Sequence, residues 1–170
     1  LYGLVLERAW SLLAGGGWAG MIVPMSLVST ARMQPIRDVL AASTGPLYVS
    51  SFSGDAHPSV LFDGVKMRLC ITIGRHSRTL VFGGDTFATR FIRWNAEARP
   101  WLFPTVEYVA TSREQAVGGL LPKIGCAMAQ AVLSKIAASG RRLGDFEVGE
   151  SGHSVYAHRI VAHFVKSFDF

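Results

Sequence analysis

The sequence predicts an α/β fold, a helix-covered parallel sheet that ends in antiparallel strands. Three observations carry that expectation. Helical and strand patterns alternate over the first part of the chain, in the order helix, strand, helix, strand. The first strand pattern, "WAGMIVP", is a nearly continuous apolar run, as a strand buried on both faces requires. Further strand patterns then follow with no helix between them, so at least one pair must be antiparallel.

The opening stretch "LYGLVLERAWSLLAGGG" reads as a helix with Tyr2, Leu6, Ala9 and Leu13 on one face. Gly15 to Gly17 end it, since glycine takes the left-handed cap conformation cheaply. Pro24 stops the strand that follows. Ser29 and Thr30 are placed to cap the next helix, whose apolar face is Met33, Ile36 and Leu40, with Arg32, Arg37 and Asp38 elsewhere. "STGP" breaks that helix. "PLYVSSFSG" is a second strand, Leu47 and Val49 opposing Tyr48 and Phe52. A loop through Pro58 leads to Phe62 and an Asp63-Gly64 turn. A strand from Met67 to Gly74 follows, with Met67, Leu69, Ile71 and Ile73 opposite Arg68, Cys70 and Thr72; "RTLVFGG", Arg78 to Gly84, reads as another.

After Gly84 the pattern changes. "FATRFIRWNAEARPWLFP" is aromatic and basic together, and "TSREQAVGG" has the composition of an exposed loop, so residues 85–121 are expected to connect two parts. Pro122 opens a helix with Ile124, Met128, Ala131, Val132 and Ile136 near one face, closed by Gly140. "HSVYAHRIVAHFVKSFDF" alternates in places, as a strand of a further subdomain would.

The 170 residues make one domain's worth of chain, and a hydrophobic content of 49% excludes a disordered one. No run reaches the roughly 18 apolar residues of a membrane span. No secretory signal is visible, and Cys70 and Cys126 both sit in apolar contexts; together these point to a reducing, cytoplasmic setting. The chain opens on Leu1 inside a helical pattern and is read as a piece of a longer protein. The net charge of +5 fits either simple solubility or a polyanionic partner. From Phe62 to Arg99 there are seven Lys/Arg against three acids, which favours the partner.

The ordered set "LLAGGGWAGMIVPMSLVS", "IRDVL", "PLYVSSF" and "LFDGVKMRLCITIG" resembles the second half of the catalytic domain of N6-adenine DNA methyltransferases of restriction–modification type. That family carries an Asn-Pro-Pro-Tyr or Asn-Pro-Pro-Phe catalytic motif. The likeness covers about the first 80 residues. "RFIRWNAEARPWLFP", "LLPKIG" and the closing "VYAHRIVAHFVKSFDF" are similar to its downstream region, less specifically. The resemblance implies the end of a Rossmann-like sheet closed by an antiparallel hairpin in residues 1–84, a connector in 85–121, and the start of a target-recognition or C-terminal subdomain in 122–170. It implies an S-adenosylmethionine-dependent enzyme that flips an adenine out of double-stranded DNA, in a restriction–modification or phage-defence system.

Two parts of that machinery are missing from this chain. No two prolines are adjacent, so the Asn-Pro-Pro motif is absent and no catalytic residue is assigned here. No strand–Gly loop–helix unit occurs, and the glycine triplet follows a helix, so the cofactor loop is absent too. Both are expected upstream of Leu1, and the fragment alone is expected to be inactive.

The resemblance matches Phe62 to the phenylalanine that packs against the flipped adenine. Read from the residues alone, Phe62 is first a core aromatic plugging the end of the sheet, since aromatics mostly pack inside; only the resemblance brings the base-stacking role level with it. Pro24, Met25 and Ser26 follow the carboxyl end of a strand, where open α/β sheets bind ligands. The resemblance sets Pro24 and Ser26 near the base pocket; an ordinary strand-to-helix turn is the plain alternative. Lys66, Arg68, Arg90 and Arg93 are the candidate contacts to DNA phosphates. Arg99 is left open, and Trp94, Trp101 and Phe103 are expected to pack. His153, His158 and His163 are spaced by five, which suits neither one strand face nor one helix face, so no metal is expected. The rival readings are a noncatalytic DNA-binding module with a decayed methylase fold, and a methyltransferase acting on RNA or protein.

Overall fold

A computed structural model describes residues 2–54, 61–62, 64–77, 85–111 and 120–140. They form an α/β unit around one mixed five-stranded sheet. Helix α1 (Tyr2–Ser11) leads into β1 (Trp18–Pro24). A single turn, α2 (Ser26–Ser29), and a 3-10 turn (Ala31–Met33) precede α3 (Gln34–Ser43). Then come β2 (Thr44–Phe52), β3 (Leu69–His76), β4 (Thr86–Ile92), a 3-10 helix (Ala96–Trp101), β5 (Val109–Thr111) and α4 (Ala127–Ala138).

The strand order is β1-β3-β2-β4-β5. β3 is antiparallel to both β1 and β2, so β1 and β2 point the same way without touching. β4 is parallel to β2, and β5 antiparallel to β4. The sequence reading expects a parallel β1–β2 unit followed by reversed strands. The shared direction is present, with the reversed strand inserted between the two. The strand expected at Arg78–Gly84 lies outside the described residues. Segment 85–121 supplies β4 and β5 to the same sheet.

The period-two alternation of the strands gives the sheet two different faces. Val23, Leu47, Val49, Cys70 and Thr72 point toward the helices, where Leu6, Trp10, Leu27, Val28 and Leu40 complete the core. α1 and α3 approach closely because Gly3 has no side chain; a Cβ there would stand 3.3 Å from Ile36 Cγ1. The other face is covered near the ends of β2 and β4 by Leu61, Trp94 and Leu102 on Phe52, Leu69 and Ile92. Farther back along β2 and β4, Tyr48 stacks on its cross-strand partner Phe87, and Tyr108, just before β5, meets Tyr48 edge-on while sharing a 2.6 Å hydrogen bond with Ser50.

Several local expectations change. Of the face expected on the first helix, Tyr2, Leu6 and Leu13 do pack against the core, and Trp10 joins Leu6 as the buried pair of α1. Neither Ser29 nor Thr30 caps a helix through its side chain; the Ser29 hydroxyl donates back to the Met25 carbonyl at 2.9 Å. α4 begins at Ala127 and not at Pro122; the residues before it are irregular, with Ile124 buried and Leu121 N bonded to the Val28 carbonyl. Gly140 does close it, with φ 65°. Arg37 is buried in α3 and faces the core side. Its Nη1 donates to the carbonyls of Leu27 (2.6 Å) and Thr30 (2.9 Å), and its Nη2 to Gln34 Oε1 (2.8 Å). The guanidinium thus serves the Leu27 carbonyl in α2 and gives a second donor to the Thr30 carbonyl, which Met33 N already engages.

Candidate nucleic-acid interface

The register aligns Pro24, Leu69, Phe52 and Ile92 in one row across four strands. The carboxyl ends of β1, β2 and β4 therefore share one edge with the start of β3. Two backbone bonds carry the row one residue further: Met25 N donates to the Arg68 carbonyl at 3.0 Å, and Ser53 N to the Ile92 carbonyl at 2.9 Å. Pro24, Met25, Arg68, Ser53 and Arg93 thus stand side by side on a fixed frame. This is the end at which open α/β sheets take their ligands.

The chain returns to this edge through residues 61–68. Leu61 is buried among Phe52, Leu69, Trp94 and Leu102, and its carbonyl accepts a 3.2 Å bond from Arg99 Nη2. Arg99 also lies over the Trp94 ring, 5.6 Å from its centre. The arginine left open by the sequence is thus a brace that holds the loop root. Phe62, the next residue, is 40% exposed. Val65 N closes a turn onto the Phe62 carbonyl at 3.1 Å, with Gly64 third in the turn at φ 77°. Only a residue without a Cβ takes that conformation at no cost. Lys66, Met67 and Arg68 follow, all exposed.

Arg68 and Arg93 meet on one aromatic ring. Arg68 Cζ lies 5.6 Å and Arg93 Cζ 5.7 Å from the centre of Phe91, and Lys123 Nζ joins them at 5.8 Å. Phe91 and Lys123 are absent from the sequence reading. The signal for Phe91 was present in "TRFIRW", an aromatic between two arginines. Lys123 arrives from far along the chain, on a stretch tied down where Leu121 N donates to the Val28 carbonyl at 3.1 Å. Beneath Lys123 lies Cys70, whose thiol burial pushes up to about 12 although the nearby ammonium works the other way. It is a neutral, inert packing group at physiological pH, hydrogen-bonded weakly to the Pro24 carbonyl.

The remaining candidates stand apart. The Ser26 hydroxyl is engaged with Tyr2 Oη at 2.7 Å, joining α2 to α1. Arg90 lies across the sheet from Phe91: its side chain packs on Gly125 and lines a groove of about 440 Å³ with Thr89, Thr105 and Glu107. The separation comes from a bulge. Thr89 and Arg90 together face the single residue Ser50, and Thr89 Oγ1 repairs the ladder by accepting from Ser51 N at 3.1 Å and donating to the Arg90 carbonyl at 2.8 Å. Trp94 is buried as expected, whereas Trp101 is 68% exposed. It is the last residue of the 3-10 helix (Ala96–Trp101).

The described residues do not fit a nucleoside cofactor at the glycine triplet. Gly16 N donates to the His76 carbonyl and His76 N to the Gly17 carbonyl, both at 2.8 Å, so the turn is spent on holding the end of β3. Among the described residues no group of His, Cys, Asp or Glu is placed to hold a metal ion, and His153, His158 and His163 lie outside them. Among the same residues no helix is long and apolar enough to cross a membrane. Compared with known proteins, the chain matches no family model and no curated protein.

Proposed function

We propose that this chain is the closing half of the catalytic domain of a site-specific DNA adenine-N6 methyltransferase, dependent on S-adenosylmethionine. The observation that carries the reading is the reversed strand β3 and the loop that enters it. The resemblance expects an antiparallel closing strand preceded by a base-stacking phenylalanine. β3 runs against both of its neighbours, and Phe62 stands exposed just before it, on the loop that returns to the carboxyl edge.

In this reading the target adenine leaves the duplex, because its exocyclic amine is otherwise beyond reach. Phe62 offers one face to the extruded base, and stacking of this kind is worth about 1–3 kcal/mol per base. The Leu61 anchor and the Gly64 turn hold that ring outward. Pro24 and Met25 wall the neighbouring edge, and Lys66, Arg68 and Arg93 meet the phosphates flanking the flipped nucleotide. No cofactor contact falls to these residues. The methyl donor and the Asn-Pro-Pro segment belong, in this proposal, to sequence upstream of Leu1.

The test is direct. The gene upstream should encode an Asn-Pro-Pro-Tyr or Asn-Pro-Pro-Phe motif and a Gly-rich loop after a strand. The intact protein should transfer tritium from labelled cofactor to duplex DNA, and not to RNA or protein. Duplex binding without transfer, and without the upstream motif, would support a noncatalytic DNA-binding module instead.

A further inference from the structure

We propose that Arg75 and His76, beside the bare turn of Gly15 and Gly16, form a binding site for the phosphate group of a small molecule. The site lies at the edge of the sheet opposite the candidate nucleic-acid interface and does not depend on the methyltransferase reading.

The register places it. Trp18 pairs with Arg75 and Thr44 with His76, so the starts of β1 and β2 meet the end of β3 at one edge. Leu69, in the row at the other edge, is about 20 Å away along the strand. Gly15, Gly16, Gly45, Pro46, Arg75 and His76 line an open pocket of about 370 Å³ at this end.

His76 supplies the first sign of a ligand. Its main chain is spoken for: the carbonyl takes Gly16 N and the N–H goes to the Gly17 carbonyl, both at 2.8 Å. The root of the side chain is therefore fixed. Its ring Nδ1 is shut away from solvent and has no partner among the described residues. A buried nitrogen left so is costly, and a ligand oxygen that meets it removes the cost. With its proton on Nδ1 the ring donates.

Arg75 supplies the second. Its Nε donates to the Gly16 carbonyl at 3.3 Å, and its Nη2 lies 3.5 Å from where a Cβ of Gly16 would stand. The guanidinium is thus laid against a turn that carries no side chain. Its Nη groups have no partner among the described residues. No carboxylate is among the described residues that line the pocket, so the positive charge is not cancelled there. Successive residues of a strand project to opposite faces, so the two donors approach a ligand at the strand end from two sides. A tetrahedral phosphate has oxygens for both. A planar carboxylate seated in the arginine fork directs its two oxygens one way.

Inorganic phosphate is the probe, titrated into the full chain with chloride at equal ionic strength as the blank. The NMR signals of the Arg75 Nε–H and the His76 ring should move together and saturate with one Kd. Arg75→Gln and His76→Phe should each weaken that binding about tenfold or more. Arg32→Gln, which removes an exposed cation elsewhere, should not. Circular dichroism checks the fold of each variant; should His76→Phe not fold, the wild-type ring signal and Arg75→Gln decide. Drift without saturation, two different Kd values, or variants that bind as wild type would overturn the site. Acetate binding as tightly as phosphate would overturn the ligand class, and duplex DNA moving the same two signals would overturn the small-molecule assignment. Ethyl phosphate binding more tightly than inorganic phosphate would support the site and name a phosphomonoester as the source; the reverse order would support it with the free ion as ligand.

Discussion

Gly54 passes against the main chain of Met67. A Cβ on Gly54 would run into the Met67 carbonyl oxygen and its carbon. The two residues close the mouth of the candidate site from opposite sides: Gly54 leaves β2, and Met67 leads the basic loop into β3. The contact is backbone on backbone, so no rotamer change can relieve it.

Gly54→Ala should therefore be severely destabilising for a one-carbon change. Overpacking of this kind costs about 1–3 kcal/mol, and a rigid carbonyl in the way puts it at the upper end. Chemical denaturation measures the loss. The change should also disturb the NMR signals of Lys66 to Arg68 while sparing those of α1.

Arg37→Met should cost more than a surface arginine. The substitution keeps the aliphatic bulk but removes the side-chain donor to the Leu27 carbonyl, while the Thr30 carbonyl keeps its bond from Met33 N; a buried acceptor that loses its donor costs about 1–3 kcal/mol. Arg37→Lys should recover part of it, since one ammonium can reach only some of the positions a planar fork spans. Thermal melts of the three proteins rank them.

Cys70 should give the fold an alkaline weakness. Its thiol is pushed from 9.0 up to about 12 by burial, so above pH 9 the unfolded chain sheds a proton that the folded chain keeps. The unfolded state then binds fewer protons, and stability falls as pH rises from 9 toward 12, by a limit of about 1.4 kcal/mol per pH unit. Cys70→Ala loses packing at every pH but lacks this slope, so the two stability curves should converge on the alkaline side. At pH 8 a thiol reagent should label exposed Cys126 quickly and Cys70 only after unfolding.

Phe62→Ala should be mild for stability and, if the proposed function holds, severe for base extrusion. The side chain is 40% exposed, so truncation forfeits about 1 kcal/mol, well below the cost of a core phenylalanine. Under the proposed methyltransferase reading, the fluorescence rise of a 2-aminopurine at the target position should shrink in the full-length Phe62→Ala protein and turnover should drop, while Phe62→Trp keeps both. A stability loss with turnover and fluorescence unchanged would return Phe62 to a packing role.

Much of the α/β pattern was legible because apolar spacing survives in the sequence. β1, β2 and β3 each carry a run or an alternation that only a strand explains. β4 was not legible, because the Thr89–Arg90 bulge breaks its period of two in the middle and the run reads as mixed aromatic and basic. Arg37 was misplaced because a charged residue is assumed to face water, whereas here it serves the Leu27 carbonyl in α2. Strand order is not written in chain order at all. Only the pairing of Pro24 and Phe52 to the same Leu69 brings the candidate residues to one edge.

The inserted strand also dictates when the sheet can assemble. β1 and β2 never pair with each other; every hydrogen bond between their halves of the sheet runs through β3. During synthesis two unpaired edges must wait until residues 69–76 emerge, and the insertion then closes contacts with β1 across about fifty residues at once. Folding should be slow and late for a domain of this size, and a chain stopped before Leu69 should aggregate rather than form a smaller sheet.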